Sequence, residues 1–206
     1  MALNHNIILQ FKNSFKDKCW KLMVAAYNTS LQKQAIQRCW DENDISCTLN
    51  SYIKDDKRRK KWKIAHNVEH HLNSGTNTNP NKGYAAKLPR IDFRMVTFSS
   101  LDEHEYFFEA KNLKEKDSKL KRRYIETGID NYISSKYSGG SLLGYILDGR
   151  LVQTVKGINK LLKKDLRAQE ILVLKQNPIH QYCYESTHST SLKIEHLMFD
   201  FTTMPP

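Results

Sequence analysis

The stretches PRIDFRMVTF (residues 89–98) and EYFFEAKNL (105–113) decide how this chain folds. Both are short, rich in β-branched and aromatic residues, and separated by the turn-like SSLDEH, which predicts a β-hairpin. Each carries a carboxylate in its interior, Asp92 in the first and Glu109 in the second, with Lys111 two residues further on. Side chains two apart on a strand share a face, so Glu109 and Lys111 point one way and Phe108 and Ala110 the other. A buried carboxylate or ammonium is costly without a partner. Asp92 is placed to share the site, yet two adjacent carboxylates repel and raise one another's pKa. A divalent cation removes that conflict. Mg²⁺ binds through one or two carboxylates, keeps several waters and takes its other ligands from phosphate oxygens. Lys111 would then lie where its charge can neutralise a phosphate as negative charge develops.

Outward from this pair, the first 72 residues read as helical. Ile8, Phe11, Phe15, Cys19, Leu22 and Ala26 recur at helical spacing, as do Ile45, Leu49 and Ile53 after a capping candidate at Asp44, and then Trp62, Ala65, Val68 and Leu72. The Asn-, Thr-, Gly- and Pro-containing segment NSGTNTNPNKG (73–83) breaks the pattern. After the hairpin come an expected helix over 120–136, a strand SLLGYIL (141–147), a helix over 150–164, and the strand candidates EILVLK, QYCYEST and LKIEHLMFDF. A strand–helix–strand run of this kind implies an α/β fold with a mixed sheet. The organisation expected is a helical N-terminal region (1–72) beside a core (73–206), forming a single domain that closes on a C-terminal β-hairpin.

The pattern Pro89-x-x-Asp92 followed by Glu109-x-Lys111, each on its own strand and succeeded by a helix and a further strand, resembles the PD-(D/E)XK nuclease superfamily, which includes restriction endonucleases and prokaryotic defence effectors. RRYIETGIDNYISSKY and GSLLGYILDG are similar to the helix and strand that follow the motif in bacterial members, with Tyr124 and Gly128 in characteristic places. Ile91 stands where the superfamily's name expects proline. The resemblance implies a restriction-endonuclease-like αβββαβ core, Mg²⁺-dependent phosphodiester hydrolysis with Mn²⁺ able to substitute, Asp92 and Glu109 as metal ligands, Lys111 as the catalytic lysine, and the Ala110 carbonyl in the inner shell. Many members add a glutamate from a preceding helix. Glu69 in NVEHHL is the better-placed match, and Glu42, fifty residues before Asp92, the weaker one. Small nucleases of this type often work as dimers or beside an ATPase-type activator, for which the N-terminal helical region is the expected contact.

The charge agrees with a polyanionic partner, DNA being favoured. The net charge is +11, and KDDKRRKKWK (54–63) and KNLKEKDSKLKRR (111–123) each hold seven positive residues against two negative. Within the second run Lys114, Lys119, Lys121, Arg122, Arg123 and Tyr124 are the expected nucleic-acid contacts, Arg122 and Arg123 foremost. A cytoplasmic protein without membrane spans is expected, since there is neither a signal-peptide pattern nor a long apolar run. The cysteines Cys19, Cys39, Cys47 and Cys183 are expected to be reduced and mostly buried.

Three other readings compete. Glu109 and Lys111 could be an ordinary pair on the solvated side of an edge strand. A basic nucleic-acid-binding or adaptor protein could keep the nuclease fold without activity. Finally, HNVEH (66–70) spells H-x-x-E-H, the inverted zinc-peptidase motif, in which two histidines one helical turn apart bind Zn²⁺. That motif lacks a convincing third ligand and would claim Glu69 as its base. His180, His188 and His196 read as satisfied structural residues, and Trp20, Trp40 and Trp62 as core or interface anchors of the helical part and not as a base-stacking platform.

Overall fold

A computed structural model describes residues 5–71, 90–98, 102–134, 137, 139–188 and 192–206. Pro89 and the segment 73–83 lie outside the described residues. Helix α1 (His5–Gln32) is followed by α2 (Glu42–Asp55) and the short α3 (Lys57–Lys61). Strands β1 (Ala65–His71), β2 (Arg90–Phe98) and β3 (Glu103–Lys114) form an antiparallel meander. Helix α4 (Ser118–Arg123), a π-helical turn (Tyr124–Ile129) and α5 (Asp130–Ile133) then cross over to β4 (Gly140–Asp148), which pairs parallel with β3. Helix α6 (Leu151–Lys164), β5 (Val173–Lys175), β6 (Cys183–Thr187) and β7 (Lys193–Asp200) complete a seven-stranded mixed sheet of order β1-β2-β3-β4-β7-β6-β5. The protein is therefore α/β, and β6 and β7 make the expected hairpin.

The sheet is covered on both faces. Phe15, Cys19, Leu22 and Ala26 of α1, with Ile45, Leu49 and Ile53 of α2, bury against Phe93, Phe108, Tyr145 and Phe199. On the other face Leu151, Val155, Ile158 and Leu162 of α6 and the crossover residues Tyr124, Ile125 and Ile129 bury against Leu113, Leu142, Ile146 and Met198. Buried on both faces, β4 reads as a near-continuous apolar run, as parallel strands do. Gly128 is where the crossover helix meets β4: a Cβ there would lie 2.9 Å from a methyl of Leu142. A larger residue there would require Leu142 to repack or the helix to shift.

Three expectations are corrected here. The side chain that caps α2 is Asp41, which accepts from the Asp44 amide at 2.9 Å; Asp44 lies inside the helix. The helical spacing of Trp62 to Leu72 conceals a strand, because β1 occupies 65–71 at the sheet edge. Its polar residues His66, Asn67 and Glu69 suit an edge strand, where pairing with β2 on one side is enough. The N-terminal region thus supplies a strand of the sheet as well as helices. The cysteines also divide more evenly than expected, with Cys19 and Cys183 buried and Cys39 and Cys47 exposed. Among the described residues no helix is long and apolar enough to cross a membrane.

Candidate active site

The hairpin residues that carry charge come together where β2 and β3 part. The ladder between these strands runs from Phe98↔Glu103 to Phe93↔Phe108 and stops one residue short of Asp92. Beyond it, the Ala110 amide donates 2.6 Å to the Asp92 carboxylate instead of to a strand neighbour. The side chain of Asp92 therefore fills the gap left by the backbone.

Glu109 and Lys111 sit on an interior strand and are buried, with 7% and 6% of their surface exposed. The solvated edge-strand reading of this pair is thereby ruled out. Lys111 Nζ pairs with Glu109 Oε1 and donates to the Ala110 carbonyl at 2.9 Å. The other oxygen, Glu109 Oε2, accepts from the Tyr137 hydroxyl at 3.0 Å. Burial and the Glu109 charge push the Tyr137 hydroxyl well above its ordinary range, so it remains a donor. Burial, then the charges of Glu109 and Glu42, push Asp92 up to about 7, against the opposing pull of Lys111 and the Ala110 amide. The site holds more negative charge than its own lysine neutralises.

The structure reverses the order of the two additional glutamates. Glu42 opens α2, and its Oε1 accepts from the Asn112 amide at 2.8 Å and from Arg123 at 2.9 Å. It borders Asp92 closely enough to raise it. Glu69 lies in register between Val68↔Phe93 and His70↔Ile91, across from Asp92, but on strand β1 and not on a helix. Its φ of +50° and its exposed side chain set it apart from the buried cluster. Sequence distance concealed Glu42: fifty residues are bridged by α2 packing across the sheet, which no local pattern records.

The H-x-x-E-H reading fails on the same strand. Two histidines four residues apart are one turn apart on a helix but about 13 Å apart on a strand, too far for one ion. His66 instead bonds Asn50 at 2.6 Å.

Two of the expected nucleic-acid contacts are structural. Lys121 is buried and donates to the Glu115 carbonyl at 2.5 Å, its chain lying against Gly157. Tyr124 is fully buried, its hydroxyl 2.8 Å from His196 Nδ1. Lys119 and Arg123 are exposed, Lys114 is half-buried, and Arg122 pairs with Asp165.

The Tyr124 bond begins a buried relay that sequence reading missed. His196 Nε2 and His188 Nε2 each lie 2.8 Å from Ser186 Oγ, and His188 Nδ1 is 2.7 Å from Glu170. Glu170 also binds Arg167, which reaches Asp130 at 2.7 Å. Burial pushes His196 down to about 3, so it is neutral. Burial opposes ionisation of Glu170, yet hydrogen bonds from Arg167 and His188 hold it below its usual value. These contacts fit one unbroken chain of donors, Tyr124 to His196, His196 to Ser186, Ser186 to His188 and His188 to Glu170. The relay fastens both ends of the π-helical turn, Tyr124 and Asp130, whose helix carries Arg123. Ser186→Ala leaves two buried imidazole nitrogens unpaired and is expected to cost about 2–4 kcal/mol in urea unfolding. A loss below about 0.5 kcal/mol would show the network contributes little.

Chemically, the cluster offers a hard-oxygen donor set: two carboxylates and the main-chain carbonyl of Ala110. Lys111 Nζ already bridges Glu109 and Ala110, so these two donors face a common cationic position. Among the described residues no three His, Cys, Asp and Glu side chains form a metal-holding group. A donor set of this kind fits Mg²⁺, which needs few protein ligands, and does not fit Zn²⁺. The chain matches no protein-family model, no curated protein and no solved structure.

Proposed function

We propose that the protein is a Mg²⁺-dependent nuclease, with Mn²⁺ able to substitute, acting on DNA through Asp92, Glu109 and Lys111. The observation that carries this reading is the convergence of those three side chains and the Ala110 carbonyl at the parting of β2 and β3, with one carboxylate in excess. The order α2, three antiparallel strands, crossover helix and a fourth strand parallel to the third supports a restriction-endonuclease-like core.

Asp92, Glu109 and the Ala110 carbonyl would hold the ion, and Glu42 borders them. When bound, Mg²⁺ would supply Lewis-acid polarisation of the scissile phosphate. Lys111 can transfer its pairing from Glu109 to a phosphate oxygen as negative charge grows there. Tyr137 holds Glu109 through its second oxygen and fixes the orientation of the carboxylate. Arg123, half-exposed beside Glu42, and the exposed Lys119 would hold flanking phosphates.

A second reading, the basic binding module without activity, draws on one fact: both Glu109 oxygens are already taken, by Lys111 and Tyr137. The two are separated by incubating the purified chain with plasmid and with single-stranded DNA in Mg²⁺, Mn²⁺ or EDTA. Cleavage that needs the ion is expected. Intact DNA under all conditions, with no Mn²⁺ binding by calorimetry, would favour the binding module.

A further inference from the structure

The basic run Lys54–Lys63 has no part in the site above. It forms the end of α2, the whole of α3 and the turn into β1, at the end of the sheet away from Asp92. There it meets Phe98, the last residue of β2, which is 67% exposed. Phe11, Lys18, Trp62, Lys63, Thr97 and Phe98 line one hollow of about 180 Å³. It is smaller than the roughly 300 Å³ of a drug-sized ligand site and of a size for one planar ring.

The charges around it divide into two kinds. Arg58 pairs with Asp56 and lies 5.8 Å from the centre of the Trp62 ring, while Arg59 binds the carbonyls of Lys54 and Ile64. These arginines build the surface. Lys18, Lys57, Lys60, Lys61 and Lys63 make no ion pair among the described residues. Among the described residues no carboxylate neutralises them. An exposed aromatic face beside unpaired ammonium groups is the chemistry that binds single-stranded nucleic acid: a base stacks on the ring and the phosphates lie along the lysines. A duplex keeps its base faces stacked and offers the ring nothing.

We propose that Phe98, Trp62 and the lysines of 57–63 form a second nucleic-acid site, specific for a single strand, about 20 Å from Asp92 along β2. The site goes beyond the cleavage reading and does not depend on it.

The test is fluorescence anisotropy of the full chain in EDTA, with a labelled oligothymidylate of about twelve nucleotides, a duplex of the same length, and vesicles containing phosphatidylserine. Phe98→Ala is expected to weaken single-strand binding about five- to a hundredfold and duplex binding less than about twofold. The double variant Lys60→Glu, Lys61→Glu is expected to lower the single-strand salt slope by about 1.4 or more. Both changes lie on exposed positions, and circular dichroism verifies the fold. Unchanged single-strand affinity in both variants, an equal loss on single strand and duplex, or a loss seen only on vesicles would each overturn the proposal. Because EDTA separates binding from cleavage, a protein inactive on every DNA still reports on this site.

Discussion

Asp92→Asn is expected to abolish DNA cleavage while making the ion-free protein more stable. The amide keeps an oxygen to accept the Ala110 N–H but removes the charge that burial, Glu109 and Glu42 disfavour. The sign follows from linkage. A carboxyl raised from 3.8 to about 7 on folding costs nothing below about pH 4, costs more as pH rises, and costs its full amount above pH 7. That full amount is at most about 4 kcal/mol, and a gain of about 1–3 kcal/mol at pH 8 in EDTA is expected for the variant. Near pH 4 the two proteins should unfold together. Urea titrations at the two pH values check this; a variant less stable than wild type at pH 8 would mean that Asp92 is well paired in the native protein. Cleavage by the same variant should fall at least about a thousandfold, the scale of losing a principal charge-stabilising group.

Lys111→Ala has the opposite effect on stability. It leaves Glu109 buried beside Asp92, with the Tyr137 hydroxyl as its remaining side-chain partner among the described residues. Breaking a buried pair in this way costs about 3–5 kcal/mol. Glu109→Gln added to Lys111→Ala removes the stranded charge and should recover most of that loss in urea unfolding. Cleavage should stay absent in both. A double variant that folds like wild type and still does not cut separates the chemical need for Lys111 from its contribution to the fold. A single variant as stable as wild type would contradict the closed pair.

Much of this arrangement is legible in the sequence, for a physical reason. β2, β3, β4 and β7 are marked by apolar and β-branched runs because both faces of the sheet are covered, and α1, α2 and α6 by stripes because each covers one face. Glu109 and Lys111 share a face by strand parity alone. What is not legible depends on neighbours. β1 is a polar edge strand, and the spacing of Trp62, Ala65, Val68 and Leu72 imitates a helix. Once that segment is a strand, Glu69 loses its helix and the H-x-x-E-H pair loses its geometry together. Glu42 reaches the site through tertiary packing, and the Tyr124 to Glu170 relay joins five residues from four separate segments. Lys121 and Tyr124 look like surface residues in a basic run, because sequence does not show which face of the crossover helix the sheet covers.

The proposed catalytic site consists of Asp92, Glu109 and Lys111. Its most direct test is cleavage of supercoiled plasmid at pH 8 in Mg²⁺ or Mn²⁺ by wild type and Asp92→Asn side by side, with EDTA as the blank. Nicked or linear product from wild type, absent in EDTA and absent with a variant that is at least as stable, is the predicted result. Equal cleavage by the two proteins would contradict it.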